Sequence, residues 1–248
     1  MFSRISVVLF ASLGLACSVM AAEIIILAPN AAKESVSEAI SVFERTTGHK
    51  ALVAWTGTET ITKRVAEGEV VDVVVNAAQN IDRQSKQGKL AGGTRTDFAR
   101  SSIGAAIPAS AAKVDVSTAD KLKAALLSAR TIVVSSGTSG RHMVEVFSKL
   151  GISEQVNAKI KQPPSGAQIA DFLAAGEADL GFQQVSELLH AKGIHYLGPI
   201  PVDLQSYAIY SAAIHAGAAN FDAAKAFLEA LRSPTVKTIL RSSGMEPI

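Results

Sequence analysis

The chain has 248 residues, 48% hydrophobic, 19% charged and 5% aromatic, with 24 basic and 22 acidic side chains, one cysteine and a formal charge of +2. That length builds a real core, in one large domain or in two lobes of roughly 100 residues each. The composition excludes a disordered chain and a disulfide scaffold, and the scarce aromatics without a basic stripe exclude a dedicated nucleic-acid binder.

The N-terminus reads as an address. Arg4 precedes an uncharged apolar run over residues 5–16, small residues close it at Ala21 and Ala22, and the first acid of the chain, Glu23, follows at once. This is the layout of a cleavable secretory signal over residues 1–22, and its apolar run is shorter than the roughly 20 residues that span a bilayer. Gly14, three residues before Cys17, stands where a lipoprotein signal has an aliphatic residue. Cleavage removes Cys17, and with it thiol catalysis and thiolate metal sites. The address predicts the periplasm.

From Glu23 onward, short β-rich runs alternate with helical patterns. Residues 23–28 form an unbroken apolar run, as expected of a parallel strand covered on both faces. Val36, Ala39, Ile40 and Phe43 recur at helical spacing until Gly48. Strands are predicted over 51–55 and 70–75, with helices over 60–66 and 81–88. This βαβαβ succession marks a doubly wound α/β unit. A second series follows, with helices over 119–129, 140–150 and 168–175 and strands over 131–135, 159–162 and 179–182. A long strand over 206–214 and helices over 221–231 and 234–242 close the chain. Strands near 101–107 and 207–214 are the natural crossings between the series. Periodicity alone leaves open two lobes with a ligand cleft or one continuous sheet.

In such sheets, ligands sit at the carboxyl ends of strands, against helix N-termini. That rule selects Asn30 and Ala31 after the first strand, Thr58 and Glu59 after the second, and Asn76 after the third. In the second series it selects the loop from Ser135 through Ser139, Gly140 and Arg141, and then Gln184. Hydroxyls, amides and glycines dominate these stretches, and all of them also serve as ordinary turns and caps. The 135–141 loop lacks the Gly-Lys-Ser/Thr ending of a nucleotide P-loop and the second glycine of a serine-hydrolase elbow. It reads instead as an anion site in which Arg141 can hold a carboxylate bidentately. The five histidines form no metal-ligand pattern, and neither a metal nor a cofactor is expected.

Residues 28–31, the run 55–65 beginning Trp55-Thr56-Gly57-Thr58, and the runs 67–68, 71–77 and 88–90 resemble, in order, the molybdate-binding proteins of ABC transporters. Residues 149–151, 176–181 and 199–201 continue the likeness. The resemblance implies a two-lobed type II periplasmic-binding-protein fold. Its expected division is lobe 1 over 23–105 with 208–248 and lobe 2 over 106–207. It also implies a monomer, a small anionic ligand and ABC-transporter membrane subunits as partners. The chain departs from that pattern at the ligand loops. Asn30-Ala31 and Thr58 replace serines, Gln184 falls near the position of a tyrosine, and Glu59 brings a negative charge. These departures favour an organic carboxylate, held by Arg141, over molybdate. Some relatives of the fold resemble aconitate isomerases. In that alternative, Glu59 or His142 would serve as general base in moving the double bond of a tricarboxylate.

Overall fold

The computed structural model describes residues 21–248, and the leader assigned to residues 1–22 lies, but for its last two residues, outside them. The first half of the chain builds β1 (Glu23–Pro29), α1 (Lys33–Thr47), β2 (Lys50–Thr56), α2 (Thr58–Ala66), β3 (Val73–Ala77) and α3 (Ala78–Lys86). The β1 strand pairs in parallel with β2 on one side and with β3 on the other, so the doubly wound unit expected from periodicity is present. Then comes β4 (Thr96–Pro108), followed by α4 (Ala119–Ser128), β5 (Ile132–Val134), α5 (Thr138–Lys149), α6 (Ser153–Asn157) and β6 (Ile160–Lys161). Next are α7 (Ile169–Ala174), β7 (Leu180–Gln184), α8 (Val185–Leu188) and β8 (Ile194–Pro199). The chain ends through β9 (Tyr207–Ile214), α9 (Phe221–Ala230), α10 (Pro234–Ser242) and β10 (Glu246–Pro247).

The strand order is β2-β1-β3-β9-β4-β7-β5-β6, and β4 is the element that makes two lobes of it. Its first part, from Thr96 to Ser102, pairs antiparallel with β9. From Ile103 onward it pairs with β7 and β8 instead. One strand thus crosses between the lobes without interrupting its backbone. The β9 strand was expected to cross as well, but it pairs only with β3 and the first part of β4. The return crossing is the segment between β8 and β9. Gln205 fastens that segment to β4: its side-chain oxygen accepts from the N–H of Ile103 (2.9 Å) and its amide nitrogen donates to the carbonyl of Ile103 (3.0 Å).

Each lobe buries side chains on both faces of its sheet. In the first, Val36, Ala39 and Phe43 of α1 pack with Phe227 of α9 and Leu240 of α10 against Ile24, Ile26, Val73 and Val75. The rings of Phe43 and Phe227 meet edge to face at 5.9 Å, a favoured aromatic geometry. On the opposite face, Ile61 and Val65 of α2 and Ile81 of α3 cover Leu27 and Val74. The second lobe repeats the plan, with Leu122, Met143 and Phe147 over Ile132, Val134 and Phe182 on one side. Ile169, Leu173 and Leu188 cover Val133 on the other. Both sheets therefore point the carboxyl ends of their parallel strands, and the helices that follow, toward the space between the lobes. Among the described residues no helix is long and apolar enough to cross a membrane.

Candidate functional site

The lobes meet around a cavity of about 40 Å³. Lobe 1 lines it with Asn30, Ala31, Thr56, Gly57, Thr58 and Tyr210, and the facing wall includes Ser135, Ser136, Thr138, Ser139, Ser165 and Glu187. A water needs roughly 10–15 Å³ measured this way, so the space holds about three waters. Among the described residues no lysine, arginine or histidine lines it, and its ionisable groups are Glu187 and Tyr210.

Helix starts supply its polarity. The N-caps of α2 and α5 are Gly57 and Gly137, both extended and without a side-chain cap. The first N–H groups of a helix have no partner within it, and the positive end of the helix dipole lies there. The serines of the 135–139 loop organise the far side. The hydroxyls of Ser135 and Ser139 lie 2.8 Å apart, and Ser135 Oγ accepts from the N–H of Gly140 (3.2 Å). Gly140 is demanded by this packing, since a Cβ there would lie 1.6 Å from the Ser135 carbonyl oxygen.

The two lobes are in contact. Ser165 Oγ accepts from the backbone N–H of Thr60 (3.2 Å), so a side chain of the second lobe caps a helix of the first. Asn30 Nδ2 donates to the Gly166 carbonyl (3.0 Å). Gly57 allows this approach: a Cβ there would lie 2.2 Å from Ser165 Oγ and 2.4 Å from the Gly166 nitrogen. At the rim, Arg141 Nη1 donates to Glu59 Oε1 at 2.6 Å, with side chains 48% and 36% exposed. An ion pair this wet contributes about 0–1 kcal/mol.

Of the candidates taken from the sequence, Asn30, Ala31, Thr58, Ser139 and Gln184 line the cavity. Asn76 lies beneath it, fully buried, donating to the Thr58 carbonyl (3.2 Å) and to Thr62 Oγ1 (3.1 Å) and accepting from the N–H of Ala77. It positions the start of α2. Gln184, with its amide nitrogen toward β4, donates to the carbonyls of Ser101 (3.0 Å) and Ser102 (3.1 Å), where that strand changes lobes. Glu59 and Arg141 pair with each other outside the cavity, and Gly140 packs behind it. His142 is also outside: Nε2 lies 2.7 Å from the Leu204 carbonyl and Nδ1 3.2 Å from Glu145 Oε2.

Sequence reasoning placed Gln183 in the same strand-end stretch as Gln184 but did not reach Ser165, Gly166, Glu187 or Tyr210. Gln183 Nε2 donates to Glu187 Oε1 at 2.8 Å, and its own oxygen accepts from the N–H of Ile169 (3.0 Å). Burial pushes the Glu187 carboxyl up to about 8, against the opposing pull of the Gln168 and Gln183 amides. Tyr210 is buried and is driven well above the usual phenol range, first by desolvation and then by the charge of Glu187.

A second chamber, of about 120 Å³, meets the first at Thr138 and Gln184, and Ala77, Ala78, Ile103, Ala208 and Ile209 share its wall with Gln79, Ser206 and Tyr207.

Residues 24–246 match the family described as bacterial extracellular solute-binding protein. An aconitate isomerase from a Pseudomonas species is 30% identical over 220 residues, covering 86% of this chain and 84% of that protein. The molybdate-binding protein ModA of Azotobacter vinelandii is 27% identical over 248 residues, covering 98% and 96%. A solved structure of the periplasmic molybdate-binding protein from the same organism aligns with a TM-score of 0.74 at 19% identity, over 90% of this chain and 98% of that one. Its two-lobed architecture is the one described above. The chain belongs to the bacterial extracellular solute-binding protein family.

Proposed function

We propose that this protein captures a small organic carboxylate in the periplasm, as a monomer, and delivers it to the membrane subunits of an ABC transporter. The observation that carries this reading is the pair of chambers joined at Thr138 and Gln184. The inner one offers hydroxyls and the starts of α2 and α5 to a carboxylate group. The neighbouring one offers room for a carbon body, with methyl and methylene surface beside the polar groups of Gln79, Ser206 and Tyr207, and a bare tetrahedral oxyanion has no use for that room. Thr58 and Asn30 act from the near lobe and Ser139 from the far lobe. Closure is then favoured most when an anion joins both. Glu59 and Arg141 serve as a clasp at the rim.

Thermal unfolding of the mature protein against sulfate, molybdate, tungstate, citrate, cis- and trans-aconitate and smaller dicarboxylates tests the reading. A ligand at 100 times its dissociation constant stabilises the fold by about 2.7 kcal/mol, visible as a raised midpoint. The expected result is a shift with one or more carboxylates. A shift confined to molybdate and tungstate would overturn the carboxylate assignment.

A second reading is an isomerase that moves a double bond of a tricarboxylate by proton transfer. It is supported by the 30% identity to a protein named aconitate isomerase and by an ionisable pair, Glu187 and Tyr210, on the cavity wall. A carboxyl that ionises near the working pH is suited to both taking and returning a proton. Incubation with trans-aconitate separates the two readings. A carrier leaves its absorbance unchanged, whereas an isomerase changes it with time.

A further inference from the structure

The anion cavity contains an acid. Glu187 lies on its wall, on the short helix α8, and no cation lines the same space. An ionised carboxylate facing a bound anion across a wall that carries no cation would repel it. The same side chain carrying its proton is a hydrogen-bond donor of a kind with the surrounding hydroxyls. Loss of water favours that state, against the pull of the Gln168 and Gln183 amides. Oε1 is held by Gln183 Nε2 at 2.8 Å, and Gln183 is itself fixed by the N–H of Ile169. Oε1 thus accepts from Gln183, and the Gln168 amide also reaches the carboxyl. Resting on the reading of this cavity as an anion site, we propose that Glu187 acts as a carboxylic-acid donor to the ligand, so that the site captures its anion only while this side chain is protonated.

The groups around Glu187 are compatible with this role. Of the elements packed against α8, β7 and the turn Asn30–Ala32 carry no titratable side chain. From β8 come His195 and Tyr196, and from β4 Asp97 and Arg100. Asp97 is bound to Arg95 and Arg100 to Glu246. Tyr210 on β9 faces the same cavity and stays neutral. On its outer side Glu187, with Asn30 and Ala31, also lines an adjoining cavity that holds Lys33, Glu34, Asp171, His190 and Lys192. None of these forms an ion pair with it among the described residues, and loss of water is the main influence on its ionisation. With the free protein ionising at about 8, anion binding is full strength below that pH and weakens as pH rises through it. Above it, each bound anion brings one proton with it.

The probes are sulfate, molybdate and trans-aconitate, all fully ionised from pH 6.5 to 9.5, titrated calorimetrically into the wild-type protein and into Glu187→Gln. Wild-type affinity for whichever probe binds should fall about 30-fold between pH 7 and 9.5, the factor by which the protonated fraction shrinks. Glu187→Gln, which keeps a neutral donor of the same size, should bind at every pH with no such fall. A flat wild-type profile, an equal fall in the variant, or a folded variant that binds nothing would each overturn the proposal. Proton uptake by the wild-type protein, measured in buffers of different ionisation heat, needs no variant. It should rise from near zero at pH 6.5 toward one per anion at pH 9, and zero throughout would also overturn it. If no probe binds the wild-type protein at any pH, the cavity assignment itself fails, and that outcome is distinct from a pH-independent affinity.

Discussion

Helices α4 and α10 begin at a hydroxyl residue that caps the first turn, whereas α2 and α5 begin at glycine. Thr118 caps α4 by accepting from the N–H of Lys121 (3.3 Å), and Ser233 caps α10 by accepting from the N–H of Val236 (3.3 Å), with a proline at the first helical position. At α2 and α5 the corresponding residues are Gly57 and Gly137, and the side-chain acceptor that reaches α2 comes from Ser165 in the other lobe. A local cap would have contributed about 1 kcal/mol of helix stability. Its absence leaves donors for a partner that arrives from outside the helix. At the cleft, the glycine N-caps of α2 and α5 leave their first turns to Ser165 of the other lobe and to Ser135.

The largest test of this contrast is Gly57→Ala. A methyl group 2.4 Å from the Gly166 nitrogen must push the lobes apart, and overpacking of this kind costs about 1–3 kcal/mol. Anion affinity is expected to drop by up to about 100-fold in titration calorimetry while the circular dichroism spectrum stays native. Removing one donor is milder. Ser139→Ala should weaken binding by about 1 kcal/mol, the net worth of a hydrogen bond, with a smaller effect on unfolding. The mirror experiment uses the outer helices. Thr118→Ala and Ser233→Ala should each lower unfolding free energy in urea by about 1 kcal/mol and leave anion affinity untouched. An affinity loss in these variants would erase the distinction drawn between the two kinds of helix. Smallest is Arg141→Ala, which opens the rim pair with Glu59. It should change affinity by no more than about 1 kcal/mol, and by less in high salt.

Much of the fold was legible because its signals are local. Continuous apolar runs marked the buried parallel strands, and Gly48 ended α1 with φ of +72°, a backbone state open to glycine. The site was legible where it follows the rule that ligands sit at strand ends, which brought Asn30, Thr58, Ser139 and Gln184 into view. It was not legible where distance along the chain separates the partners. Asn30 and Gly166 meet across 136 residues and Thr60 and Ser165 across 105, and no periodicity encodes such pairs. Glu187 and Tyr210 were hidden for another reason. One sits in a helix of four residues and the other in a buried strand, so neither occupies a loop that pattern reading would search. Arg141 and Glu59 stand 82 residues apart and were read as two separate charges beside a ligand. The structure places them on each other.

The measurement that bears most directly on the account is a calorimetric titration of the mature protein at pH 7 with trans-aconitate and with molybdate, repeated on a Thr58→Val, Ser139→Ala double variant. The account predicts one anion per protein, carboxylate bound in preference to molybdate, and affinity reduced at least tenfold in the double variant. Equal binding by wild-type and variant protein would place the ligand elsewhere and contradict the assignment of this cavity.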